Sequence, residues 1–257
     1  MKALFDLQGK AAFVPGGYGG IGMAVARALA EAGASVAVGG RSLDKAQAFA
    51  AELTAAGGRA LGVAVDAEDV QSIRQANDAV AAEFGRLDIL ANCVGKNQEQ
   101  KVAEVTPETF DEIYRTNLRS AMFLAQAAAR HQVAGGRGGK QVHLLSVRSM
   151  LGMKGYGYSA YCATKGALVM LVKQHAVELA QHRITVNGIA PTVVLTEAAK
   201  KWQTDPGRWE ALLARIPLGR VCEPHDIAAA ALYFCSPASD FATGQVLYLD
   251  GGITATQ

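Results

Sequence analysis

The chain has 257 residues, half of them apolar, with 25 Lys and Arg against 23 Asp and Glu for a net charge of +2. This length suits one large α/β domain with an ample core. The balanced, unclustered charge offers no electrostatic footprint for nucleic acid or an anionic membrane. The opening MKALFDLQGK has neither a long apolar stretch nor a small-residue cleavage site, and no apolar run approaches ~18 residues. No signal peptide and no transmembrane span are therefore expected. Cys93, Cys162, Cys222 and Cys235 show no CxxC spacing. They read as reduced thiols of a cytoplasmic protein rather than a disulfide or zinc framework, and no metal site is expected. Low complexity is confined to AGGRGG at 134–139, a surface turn.

In chain order, a short apolar strand at 10–14 leads into PGGYGGIG at 15–22, and an Ala-rich amphipathic helix runs to about 32. Glycine allows a tight turn and close approach to a pyrophosphate, and a helix amino terminus offers free N–H groups. Gly16, Tyr18, Gly19, Gly20, Ile21 and Gly22 are thus candidate dinucleotide contacts. A second strand, 33–40, ends at Gly40, followed by Arg41 and Ser42. An acidic residue at that end would accept from an adenosine 2′-hydroxyl and repel a 2′-phosphate. Its absence, with a guanidinium adjacent, leans the expected cofactor toward NADP over NAD; alternatively Arg41 simply opens the next helix at the surface.

A helix is expected at 43–56 and a strand at 60–65, ending at Asp66 and Ala67. The Asp66 carboxylate either accepts from an adenine amino group or caps the following turn. A helix to about 84 and a strand at 87–92 lead to Asn92, Cys93, Val94 and Gly95. Strands separated by helices imply a parallel, doubly wound sheet, whose ligands lie at the strands' carboxyl ends. Gly16, Gly40, Asp66 and Asn92 all fall at such ends.

Thr106 and Pro107 open a helix, and a second, long helix containing Asn117 runs to about 133. A buried amide must be hydrogen-bonded. Asn117 is either a helix-start or kink residue, or an amide that holds a water behind Lys165. The strand 141–145 ends at Ser146, whose hydroxyl can bond a substrate oxygen. A long helix to about 182 carries Tyr161 and Lys165 one turn apart in YCATK. A phenol normally loses its proton near pH ~10. An ammonium beside it favours the phenolate, lowers that pKa and gives a proton-transfer group usable near neutrality.

Over about 7–253 the chain resembles the classical short-chain dehydrogenase/reductases. The resemblance rests on PGGYGGIG, NCVG (92–95), the Asn of TNLRS (116–120), Ser146, YCATK, IAPTVVLT (189–196) and GQVLYLDGG (244–252). It implies a single NAD(P)-binding Rossmann domain over 1–257, with a sheet of about seven parallel strands and helices on both faces. It also implies catalytic roles. Tyr161 is the general acid/base, Lys165 lowers its pKa and binds the nicotinamide ribose, Ser146 orients the substrate, and Asn117 anchors a water relay. Asn92, Val94, Gly95, Pro191, Thr192, Val194 and Thr196 join the cofactor contacts, and 192–216 becomes a substrate lid.

Pro15 stands where the family usually has Thr, Cys93 and Val94 replace Asn and Ala, and Thr192 replaces Gly. The Ser146-to-Tyr161 spacing is about two residues longer than usual, which leaves Ser149 as an alternative catalytic serine. Ser146 is preferred because HLLS ends a strand, with the extra residues absorbed in MLGMKGYG. Arg148, Lys154 and the loop KNQEQK (96–101) suggest a polar, partly cationic rim. Together with SVR, YSAYCATKGA and APTVV, this rim resembles that of members acting on sugars and sugar acids, such as gluconate-type dehydrogenases. A 3-oxoacyl or other ketone reductase, a lyase or epimerase, and a non-catalytic NAD(P) sensor are the alternatives. Trp202 and Trp209 either touch the substrate or pack between short helices. The Ala-rich helices and the strand near 245–249 imply a homotetramer, with a dimer as the fallback.

Overall fold

The computed structural model describes residues 2–256, except the side chains of Lys2, Ala198, Lys201, Trp202 and Arg208. The reading of Trp202, and the two end residues of the expected 1–257 domain, lie outside the described residues. Seven strands form one parallel sheet: β1 (Ala11–Pro15), β2 (Ser35–Gly40), β3 (Arg59–Ala64), β4 (Ile89–Asn92), β5 (Gly139–Leu144), β6 (Ile184–Pro191) and β7 (Val246–Leu249). Their order is β3-β2-β1-β4-β5-β6-β7, so the direction of winding reverses between β1 and β4.

Strands covered on both faces read as continuous apolar runs. In β1, Ala12 and Val14 join a core with Val25, Leu29, Phe49, Ile227 and Phe234. Phe13, between them, joins the opposite core with Ile73, Val80, Leu90 and Leu124. The first face is therefore covered by α1 (Gly20–Glu31), α2 (Leu43–Ala55) and α8 (Pro224–Cys235). The second is covered by α3 (Val70–Phe84), α5 (Ser120–Gly135) and α6 (Ser159–Leu179). A 3-10 stretch (Glu197–Thr204) and the short helix Pro206–Leu213 follow β6. The doubly wound α/β fold expected from the sequence is present, and no helix among the described residues is long and apolar enough to cross a membrane.

One expectation needs correction. The helix opened by Thr106, whose hydroxyl accepts the Thr109 N–H at 3.3 Å, does not end before a second one begins. Pro107–Tyr114 (α4) passes straight into a π-helical turn, Arg115–Arg119, and then into α5. Asn117 sits inside that wider turn. Such single-turn insertions recur at functional sites.

The glycine turn after β1 is forced by contact. Gly16 has φ +76°, and a Cβ on it would lie 2.9 Å from the Cys93 carbonyl group at the end of β4. A Cβ on Gly22 would lie 2.1 Å from the Gly16 carbonyl oxygen. Gly22→Ala must push the turn off the start of α1. It should lower the unfolding free energy by about 1–3 kcal/mol, the usual range for overpacking, and weaken dinucleotide binding. Denaturant unfolding with a parallel nucleotide titration checks both.

Candidate active site

The carboxyl ends of β1, β4, β5 and β6 enclose a cavity of about 360 Å³. One wall is the glycine turn and the first residues of α1, and the opposite wall carries Ser146, Tyr161 and Lys165. Gly95, Pro191, Thr192, Val194 and Thr196 complete it. A larger hollow of about 530 Å³ lies at the other edge of the sheet, around Lys10, Arg137 and Arg183, away from all of these.

The cavity fits a dinucleotide. Gly19 begins α1 with no side-chain cap, so its first amides retain the positive end of the helix for an anion. A Cβ on Gly19 would meet only the Gly16 carbonyl oxygen, at 3.4 Å, so the turn leaves open space. Asn92 shapes the far side: its Oδ1 accepts the Val94 N–H at 3.0 Å and its amide nitrogen lies 3.3 Å from His143 Nδ1.

Lys165 is 2% exposed. Its ammonium donates to the Leu144 carbonyl oxygen at 2.7 Å and lies 5.6 Å from the Tyr161 ring centroid. A Cβ on Gly95 would fall 3.4 Å from that ammonium and 3.6 Å from Asn117 Oδ1, so glycine keeps the space between them. The Asn117 amide is fully occupied. It accepts the Lys96 N–H at 2.8 Å and donates to the Lys96 carbonyl oxygen at 2.9 Å and to Thr164 Oγ1 at 3.2 Å. It thus ties the loop after β4 to α6, and of the two sequence readings the kink position is the one whose geometry is visible.

The two candidate serines separate clearly. Ser146 hydrogen-bonds the Tyr161 phenol and accepts the Arg148 N–H at 3.1 Å. Ser149 instead lies 3.2 Å from the Tyr248 hydroxyl of β7.

The electrostatics correct the simplest expectation. Burial pushes the Tyr161 phenol up to about 12; the Ser146 hydrogen bond and the Arg148 guanidinium pull it down, while Tyr158 and Cys162 add to the rise. Lys165 is not among the groups acting most on it. Its own pKa is brought down to about 8 by burial, with the Cys93 thiol opposing. The phenol of the free protein is therefore neutral at ordinary pH. Burial also holds His143 near 3 and thus uncharged.

Other sequence candidates lie elsewhere. Arg148 does not line the cavity; its Nη1 donates to the carbonyls of Leu151 (3.3 Å) and Gly152 (2.6 Å) and organises the loop. Lys154 is exposed on that loop, also off the cavity. Neither position is predictable from residue type, because a nearby backbone carbonyl decides it. Tyr18, Arg41, Ser42, Asp66 and Ala67 sit at the ends of β2 and β3 beyond the cavity wall. Asp66 Oδ1 accepts the Glu68 N–H at 2.9 Å, the capping alternative. Leu144 O, Thr164 and His143 carry none of the motif's signature and escaped sequence reasoning.

Residues 17–254 match a family model described as enoyl-(acyl carrier protein) reductase. A gluconate 5-dehydrogenase of Gluconobacter oxydans is 34% identical, with 98% of each chain covered. A D-threitol dehydrogenase of Mycolicibacterium smegmatis is 38% identical over 97% of this chain and 95% of its own. Among solved structures, a gluconate 5-dehydrogenase from Burkholderia cenocepacia in complex with NADP and tartrate superposes with a TM-score of 0.95. It shares 34% identity and covers 100% of this chain and 99% of its own.

If Ser146 is the hydroxyl that steadies the phenol, Ser146→Ala should raise the Tyr161 pKa further and Ser149→Ala should leave it in place. Ultraviolet titration of each variant, with Tyr161→Phe as the blank, gives the comparison.

Proposed function

The chain belongs to the short-chain dehydrogenase/reductase family and is an NAD(P)-dependent oxidoreductase acting on CH–OH groups, and we propose that its substrate is a sugar, sugar acid or similar polar secondary alcohol or its ketone. The observation that carries this reading is the cluster on one wall of the cavity, where Ser146 bonds the Tyr161 phenol beside the buried Lys165 ammonium. Relatives named for gluconate, threitol and xylulose support the substrate class.

The glycine turn, Asn92, Val94, Gly95, Pro191, Thr192, Val194 and Thr196 would hold the dinucleotide, whose nicotinamide supplies the hydride acceptor or donor. The chain's own residues manage position and protons. Ser146 accepts from the Arg148 amide, which directs its hydroxyl toward the phenol and a substrate oxygen. Tyr161, neutral in the free protein, is set to give its proton to a ketone oxygen in the reductive direction; in the oxidative direction it must first lose it. Lys165 is held by Leu144 and supplies positive charge at the ribose end. Asn117, clamped to Lys96 and Thr164, anchors the water relay behind Lys165.

The favoured cofactor is NADP: β2 ends in Gly40 without a carboxylate, and Arg41 forms no salt bridge among the described residues. Residues 192–216 serve as the lid. A Cβ on Gly20 would come 2.7 Å from Thr196 Cγ2, so the start of the lid rests on the glycine turn. Met122, Met170 and Val177, exposed on α5 and α6, together with Leu247 on β7, suit burial in a homotetramer. The four free thiols suit the cytoplasm.

Tyr161→Phe should cut turnover by about 10²–10⁴, the span of a proton-transfer residue, with nucleotide still bound. NAD(P)H absorbance with a panel of sugar acids, polyols and ketones reads this out; full activity in the variant would remove the assigned role. The pH dependence follows from Lys165. Its pKa is depressed, so the ammonium present at neutrality is lost as pH rises through about 8. Reductive kcat/KM should hold through neutrality and fall above that point. Light scattering should give four times the 26.9 kDa chain mass.

A further inference from the structure

Tyr18 is an unusual side chain for a turn otherwise rich in glycine, and its contacts are specific. Its ring lies against the end of β2. A Cβ on Gly40 would fall 2.2 Å from Tyr18 Cε1, 2.5 Å from Cζ and 2.7 Å from the hydroxyl oxygen. That oxygen accepts the Ser42 N–H at 3.0 Å. Ser42 in turn caps α2 through its hydroxyl, which accepts the Lys45 N–H at 3.4 Å. Tyr18 therefore grips the residues on both sides of Arg41, which is exposed. The Glu112 carboxylate, which lies within electrostatic range of Arg41, is bonded to Lys96.

Two consequences follow. The first is steric. Real Cβ atoms do not approach other atoms within 3.0 Å, so no side chain can stand at position 40 while the Tyr18 ring is there. The acidic residue that would receive a ribose 2′-hydroxyl and repel a phosphate is thus barred by the ring. The second is polar. A phenol oxygen that accepts from a backbone amide still has its own proton to donate. Phosphate oxygens are strong acceptors for it, and a guanidinium on the same strand end adds a charged partner.

We propose that Tyr18 is the residue by which this chain reads the adenosine 2′ position, excluding a carboxylate from position 40 and presenting its hydroxyl, with Arg41, to a 2′-phosphate. The proposal rests on the oxidoreductase reading above and adds a specificity determinant to it.

Calorimetric titration with NADP⁺ and NAD⁺ tests it without turnover. The wild-type chain should bind NADP⁺ more tightly. Tyr18→Phe keeps the ring on Gly40 and removes only the hydroxyl. The NADP⁺-over-NAD⁺ preference should fall about 5- to 10-fold, as expected for one lost hydrogen bond to a charged group. Gly40→Asp alone should weaken both nucleotides, because ring and carboxylate compete for one space. Tyr18→Ala with Gly40→Asp should favour NAD⁺. An unchanged preference in Tyr18→Phe, or a full switch to NAD⁺ by Gly40→Asp alone, overturns the role of Tyr18 and leaves the oxidoreductase reading standing. Failure of the folded wild-type chain to bind either nucleotide overturns both.

Discussion

A charged ammonium almost sealed from water organises the catalytic end of this fold. Burying a charge is costly unless it is paired or hydrogen-bonded. Lys165 resolves the cost through the Leu144 carbonyl, at a point where β5 has just left the sheet ladder. The neighbouring elements conform to that arrangement. Position 95 carries no side chain, because a Cβ there would crowd the ammonium. Asn117 comes into the same space from a π-helical turn and joins the loop after β4 to Thr164, one residue before Lys165. A helix of uniform pitch would present a different residue there, so the local distortion of α4–α5 belongs to the site.

The same ammonium does not tame the phenol of the free protein, and magnitudes show why. A rise of about two pK units corresponds to roughly 3 kcal/mol against the phenolate. One hydrogen bond from a charged donor contributes about 1.5–3 kcal/mol, so a direct Lys165–Tyr161 bond could cancel most of the burial effect. The ammonium's visible bond goes to Leu144 instead, and the ring centroid is 5.6 Å away. The phenol's partner is Ser146, a neutral hydroxyl. Burial wins, and the resting site holds a proton ready to give.

The sheet, the glycine turn and the Tyr161–Lys165 pair were legible because they rest on local periodicity and spacing. The choice between Ser146 and Ser149 was not, since Ser149 is engaged by Tyr248, 99 residues away on β7. The same holds for Gly40. From the sequence it reads as a missing carboxylate; in space it is the footprint of the Tyr18 ring. Arg148 and Lys154 looked like rim cations, yet one serves two loop carbonyls and the other faces outward. Residue type suggests what a side chain can bond, and only packing decides which partner arrives.

The polar column behind the cavity shows how one amide propagates such choices. Asn92 Oδ1 is committed to the Val94 N–H, so its amino group must face His143. His143 Nδ1 can then only accept, which places the ring proton on Nε2 and makes the neutral form obligatory. A protonated ring would set two donors against each other and add a second cation near Lys165; burial and that ammonium both oppose it. His143 Nε2, a donor, has no protein partner, and neither has the buried Nδ1 of His175 on α6, whose other nitrogen meets Met122 Sδ at 3.3 Å. Donation from His175 Nε2 to the sulfur leaves Nδ1 an acceptor, so the two unpaired atoms are complementary. The neutral histidine of β5 thus lets Asn92 shape the cofactor wall while Lys165, two elements away, stays the sole charge in the pocket's floor.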